Sequence, residues 1–309
     1  MDQASSLRKI VSLSNQSPNY EKLRYVKSGQ HNKNVRIFSV TSGKGGVGKT
    51  NIVTNLAYSF SLLGKKVMIL DADLGLGNVD VLLGLNPKYN LLHVFMGLKS
   101  LEEIIVKGPG GILILPAASG VEELTNITEN QKLHLLSEFE RLDVDIDLLL
   151  IDTSAGISSN VMYFNTASQH IMIISTPEPT SITDAYALIK VLSLKYAEKK
   201  FNLLVNCATS QNEAKAVYET ISKATEEFLH VSINYLGFIP RDLNVSNAVK
   251  KQKLITEFTP GSDASISLKC LAQKMDDISE MCLPKGNIQI FWNRIVDGLL
   301  TNNNPQKRI

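Results

Sequence analysis

An α/β fold, a mostly parallel twisted sheet with helices on both faces, is what this sequence predicts, and three observations predict it. From Val35 onward, short apolar runs alternate with longer amphipathic stretches, the pattern of buried parallel strands joined by covering helices. The 309 residues have an apolar fraction of 44%, enough for one large core with short appendages. A glycine-rich turn stands between the first apolar run and the first helix, at a strand's carboxyl end, where sheets of this kind bind ligands.

Residues 2–13 read as a short helix, with Ala4, Leu7, Ile10 and Val11 at helical spacing and Asp2 as its N-cap. Residues 14–34 are rich in Ser, Asn, Gln and Lys and read as a linker. The core then runs strand 35–41, helix 49–63, strand 66–70, strand 112–115, helix 128–141, strand 147–151, helix 158–168 and strand 170–175. It continues with helix 179–196, strand 201–206, helix 211–228, strand 233–237 and helix 264–282. After the break at Pro284-Lys285-Gly286, residues 287–300 place Ile288, Phe291, Trp292, Ile295, Val296 and Leu299 on one helical face. That face suits an interfacial membrane anchor, and it equally suits packing on the domain. The predicted organisation is therefore 1–34, 35–282 and 283–309.

Composition excludes several classes. A net charge of +2 gives no bulk electrostatic reason to bind nucleic acid. Cys207, Cys270 and Cys282 lack C-x-x-C spacing, which argues against a thiolate metal site or a disulfide framework, so reduced, buried thiols are expected. The N-terminus lacks a signal peptide's basic and apolar regions, and no apolar run approaches bilayer length, so a cytoplasmic protein is expected.

Gly43-Lys44-Gly45-Gly46-Val47-Gly48-Lys49-Thr50 fits the phosphate-loop pattern, and the expected phosphate-binding set extends to Asn51. Its glycines let backbone N–H groups turn inward, Lys49 reaches the β and γ phosphates, and the Thr50 hydroxyl ligates Mg²⁺. The phosphates then sit at a helix start, where free N–H groups and the dipole favour negative charge. Lys44 is a second lysine that an ordinary loop does not need.

Three strand ends deliver further candidates. Asp71 and Asp73 follow the second strand at alternate positions, which suits Mg²⁺ hydration and orientation of an attacking water. Asp152 ends an apolar run, the arrangement that supports the Mg²⁺ shell beside a phosphate loop. Asn206 offers donor and acceptor to an adenine edge, though a strand-end Asn is commonly a turn residue. Pro240-Arg241-Asp242 is a second candidate for holding the base, or only a turn.

With both lysines in place, residues 44–50 resemble the deviant Walker A motif of the MinD/ParA group of P-loop ATPases, and the resemblance covers roughly residues 35–282. It implies ATP and Mg²⁺ as ligands, and a homodimer in which Lys44 reaches the partner's ATP. Asp71 to Asn78 looks like the family's switch I, with Asp73 matching the carboxylate that orients the hydrolytic water. Residues 152–156 look like switch II, with Asp71 and Asp152 supporting the Mg²⁺ shell. Thr153-Ser154-Ala155-Gly156 departs from the family's usual Asp-x-Pro-Ala-Gly form.

Two stretches resemble the FlhG branch of that family, which regulates the number and placement of bacterial flagella. Asp2-Gln3-Ala4-Ser5-Ser6-Leu7-Arg8 resembles its DQAxxLR activator helix, and Pro177 to Tyr186 looks like the same branch. The resemblance implies stimulation of the GTPase FlhF through Asp2, Gln3, Ala4, Leu7 and Arg8, with Gln3 reaching the partner's GTP site. It also implies reversible attachment to cytoplasmic membrane lipids through the terminal helix, with flagellar switch proteins or a flagellar transcription regulator as further partners. Competing readings are a MinD-type division-site ATPase and a ParA-type partitioning ATPase. An iron–sulfur carrier would need paired cysteines that this chain lacks.

Overall fold

Arg36–Ser42 (β1) is the strand that feeds the glycine-rich turn, and it lies inside the sheet with partners on both sides. The computed structural model describes residues 35–73, 77–116, 134, 137–139, 141, 142, 144–279, 288, 291 and 294. Among them, the strands after β1 are Val67–Ala72 (β2), Val106–Lys107 (β3), Leu113–Leu115 (β4), Leu148–Ala155 (β5), His170–Ser175 (β6), Lys200–Ala208 (β7) and Ser232–Pro240 (β8). They form one sheet in the order β3-β4-β2-β5-β1-β6-β7-β8, with every pair parallel except β3–β4. The predicted fold class is the observed one.

The helices are Lys49–Leu62 (α1), Val79–Leu82 (α2), Leu91–Phe95 (α3), Leu101–Ile104 (α4), Ser159–Ala167 (α5), Pro179–Tyr196 (α6), Gln211–Leu229 (α7), Leu243–Lys250 (α8), Ile255–Phe258 (α9) and Asp263–Ser279 (α10). Both faces of the sheet are buried because alternate residues of each strand enter different cores. Phe38, Ile69, Leu150, Met172 and Leu204 join Leu56 and Phe60 of α1 and Leu268 of α10 on one face. Ile37, Met68, Leu149 and Ile151 pack with Phe164 of α5 on the other. Leu203 and Val205 join Leu188 of α6 and Val217 of α7 there.

Five strands outrun their predicted ends, β1 reaching Ser42 and β2 Ala72. β5 continues through Ala155, β7 through Ala208 and β8 through Pro240, because polar residues can extend a strand whose neighbours still pair with it. Short helices α2–α4 and α8–α9 were not anticipated, since segments of four to eight residues are too short for helical periodicity to register. Reciprocal capping boxes mark two of them. Ser100 Oγ accepts from Glu103 N–H at 3.3 Å while the Glu103 carboxylate accepts from Ser100 N–H at 2.9 Å, a reciprocal pair readable as S-x-x-E. Of the predicted helix 128–141, the described residues 134, 137–139 and 141 are helical.

One expectation needs correction. Cys207 and Cys270 are exposed, one at the end of a strand that bulges there and the other on the outer face of α10, whereas Cys282 lies outside the described residues. In the terminal stretch, Phe291 is 1% exposed among Val35, Ile37, Leu149 and Phe164, with Ile288 packed against the same cluster. That is the packing alternative for these two side chains. Trp292, Ile295, Val296, Leu299 and the whole N-terminal stretch, including Asp2, Gln3, Ala4, Leu7 and Arg8, lie outside the described residues. Among the described residues, no helix is long and apolar enough to cross a membrane.

Buried Asn55 links α1 to α9: its Oδ1 accepts from the Thr256 N–H at 3.1 Å and the Thr256 hydroxyl at 2.9 Å, and its Nδ2 donates to the Asn51 carbonyl at 2.8 Å. Removing the amide strands buried donors. Asn55→Ala is expected to lower unfolding free energy by about 1–3 kcal/mol in urea titrations; an unchanged midpoint would show that water satisfies those groups.

Candidate nucleotide-binding site

The carboxyl ends of β1, β2 and β5 converge because β5 pairs with both of the others, with Val40 and Asp71 each registered opposite Asp152. The turn after β1 leads into α1, which has no side-chain cap and no acidic residue in its first turn. Its N-cap is Gly48, at φ 90°. Among the described residues the first N–H groups of α1 thus have no side-chain cap, and an external phosphate suits them. Only glycine fits at Gly43 and Gly48: a Cβ would lie 2.1 Å from the Asp184 carbonyl oxygen at the first and 2.6 Å from Asn206 Nδ2 at the second.

The two loop lysines point to different partners. Lys49 is partly buried, and its Nζ donates to Ser42 Oγ at 3.1 Å. Burial lowers its pKa, while Asp152 and Asp73 pull it back up. Lys44 instead donates to Glu178 Oε2 at 2.5 Å and Thr180 Oγ1 at 2.9 Å, at the start of α6. Glu178 keeps 64% of its side chain exposed, so this lysine is held at the surface and can leave.

The predicted carboxylates come together here. Asp152 is 2% exposed. Burial pushes its carboxyl up to about 7, against a hydrogen bond from the Thr50 hydroxyl, with Asp71 adding repulsion and Lys49 attraction. Burial also raises Asp71 to about 6, although the N–H groups of Asp73 at 3.1 Å and Val79 at 3.3 Å donate to its two oxygens. Asp71 therefore ties down the loop after β2. Asp73 accepts from the Ser154 hydroxyl at 2.7 Å.

Among the described residues no group of three or more His, Cys, Asp or Glu side chains forms a metal cage. The donor set still fits Mg²⁺, which keeps waters and binds through one or two carboxylates plus phosphate oxygens. Asp152 Oδ1 is buried and has no hydrogen-bond partner among the described residues, an acceptor such an ion would satisfy. Thr50 and Asp152 could hold it, with Asp71 and Asp73 alongside.

The candidates for the base fare differently. Asn206 turns its Nδ2 to the Val47 carbonyl at 2.7 Å and so clamps the loop itself. The Asp242 carboxylate caps two helices, accepting from the N–H groups of Asn244 at 2.8 Å and Ala264 at 3.4 Å. Its commitment to α8 and α10 makes it a structural acceptor. Pro240 ends β8 opposite Ala208, and Arg241 N–H donates to the Ala208 carbonyl at 3.0 Å with its side chain exposed. Asn51 faces its own helix, where its side-chain oxygen accepts from Asn55 at 2.9 Å. Sequence reasoning did not assign roles to Ser42, Glu178 or Ser154. Ser154 carries a signal in its departure from the usual residue type, and Glu178 in lying within the branch-like stretch Pro177 to Tyr186.

Comparison with known proteins is consistent across the chain. The profile of the CobQ/CobB/MinD/ParA nucleotide binding domain matches residues 38–255. The chain is 44% identical over 262 residues to the antiactivator FleN of Pseudomonas aeruginosa, covering 85% of this chain and 94% of that protein. It is 34% identical over 292 residues to the flagellum site-determining protein YlxH of Helicobacter pylori, covering 92% and 99%. Among solved structures, the MinC:MinD cell division protein complex of Aquifex aeolicus matches with a TM-score of 0.64 at 26% identity, covering 82% of this chain and 99% of that one. With its double-lysine loop at the edge of a sheet of that topology, the chain belongs to the MinD/ParA family of P-loop ATPases, in the FlhG-type branch that includes FleN and YlxH.

Proposed function

We propose that this chain is an ATP-dependent dimerising switch that regulates the number and placement of bacterial flagella. Its relatives' names, an antiactivator and a flagellum site-determining protein, support the flagellar assignment. The observation that carries the switch is the parting of the two lysines: Lys49 faces inward on the phosphate side, while Lys44 rests on Glu178 at the surface, available to a second subunit. Bound Mg²⁺ would neutralise phosphate charge and orient the nucleotide. Thr50 and Asp152 hold that ion, Lys49 and the N–H groups of the loop bind the phosphates, and Asp73 orients the attacking water.

Two outputs follow from this reading. The terminal helix attaches reversibly to the inner face of the cytoplasmic membrane, which competes with the domain for Phe291 and Ile288, packed on the core here. A single amphipathic helix binds membranes weakly, so two in a dimer gain avidity. The N-terminal helix stimulates FlhF, with Gln3 at the GTP site. The near-neutral net charge gives no support to the ParA-like alternative of nonspecific DNA binding.

ATP is expected to convert the wild-type chain to a dimer that co-sediments with anionic liposomes. Lys44→Ala should weaken both by about tenfold or more; if both persist unchanged, dimerisation and membrane attachment are not coupled through this lysine. In a separate assay, the intact protein should accelerate FlhF GTP turnover and Gln3→Ala should not. Absence of stimulation by the intact protein would favour a MinD-type division role instead.

A further inference from the structure

We propose that Ser154 is a positioning residue for Asp73, fixing the carboxylate that orients the attacking water. The inference rests on the ATPase reading above. Strand register is its first support: β2 and β5 pair Asp71 with Asp152 and Ala72 with Thr153, so the next step along both strands brings Asp73 opposite Ser154. The Ser154 hydroxyl donates to Asp73 Oδ1 at 2.7 Å, the short geometry of a charge-assisted bond.

Asp73 is thereby anchored at both ends. Its main-chain N–H donates to Asp71 Oδ1 at 3.1 Å, and its side chain is held by β5. The end of β5 is itself fixed to β1, since the Thr153 hydroxyl donates to the Val40 carbonyl at 3.0 Å and Gly156 N–H donates to the Ser42 carbonyl at 2.9 Å. Val40 and Ser42 lead directly into the phosphate loop. A chain of short bonds therefore references the Asp73 carboxylate to the loop that binds the phosphates. With Oδ1 committed to Ser154, Oδ2 is left to accept from a water.

The hydroxyl sits where the family's usual form carries proline, which has no donor to offer. In this chain the donor replaces whatever else would orient the carboxylate. Misplacing an orienting group by about 1 Å can cost as much as about a hundredfold in rate. The Ser154 hydroxyl bonds Asp73, so on this proposal its loss should leave nucleotide binding unchanged.

The test is steady-state Mg-ATP hydrolysis by the full-length wild type, Ser154→Ala and Ser154→Thr, with ATP-dependent dimerisation measured in parallel. Ser154→Ala should lower kcat by about tenfold with KM and dimerisation unchanged, and Ser154→Thr, which keeps a hydroxyl, should recover most of the rate. A wild-type kcat in Ser154→Ala, an equal loss in both variants, or a parallel loss of KM and dimerisation would overturn the proposal. If the wild type itself does not hydrolyse ATP, the ATPase reading fails and the role of Ser154 falls with it; an active wild type confines any failure to Ser154.

Discussion

Burial of Asp152 beside Lys49, with Asp71 paired to it across the sheet, is the constraint on which the rest of the site depends. Carboxylates taken out of water resist ionisation, and here burial lifts them to about 7 and about 6 while it lowers the lysine. Parallel pairing imposes the arrangement. β5 lies between β1 and β2, so their carboxyl ends cannot diverge, and the acidic residues that end two of these strands share one edge with the loop that ends the third. A low-dielectric edge with one unpartnered carboxylate oxygen and uncapped helix N–H groups favours a ligand carrying both charges, a metal ion with phosphates.

Around that edge the loop is held from three sides. Asn206 of β7 bonds the Val47 carbonyl, α6 presses Asp184 against Gly43, and Glu178 holds Lys44. These clamps fix the backbone while leaving one lysine on the exterior. The same α6 start therefore shapes the phosphate loop and carries the ion pair that a second subunit would displace. Exposed ion pairs of this kind are worth little, so the exchange costs little.

Legibility followed the length and burial of each segment. The apolar runs of β1, β2 and β5 are buried on both faces, so composition alone marked them, and the residues at their ends could be read as site residues: Thr50, Asp71, Asp73 and Asp152 do gather. The Asp242 carboxylate serves backbone N–H groups at two helix starts, a use set by tertiary packing and invisible in a turn tripeptide. Phe291 was ambiguous for a related reason: an apolar helical stripe has the same spacing whether it faces lipid or, as here, the cluster around Phe164. Cys207 was expected inside because free cysteine usually is, but it follows Asn206 at a bulge with φ 58° and faces out. Ser154 was visible only as a deviation; its bond to Asp73 needed the β2–β5 register.

Everything proposed for this chain presupposes that the buried edge is a Mg²⁺-nucleotide site. Calorimetric titration of a non-hydrolysable ATP analogue, with Mg²⁺ and with EDTA, into the wild type and Asp152→Asn tests that most directly. The wild type should bind about tenfold or more tighter with Mg²⁺, and Asp152→Asn should lose most of that gain while keeping its metal-free affinity. The same Mg²⁺ dependence in both proteins would contradict the account.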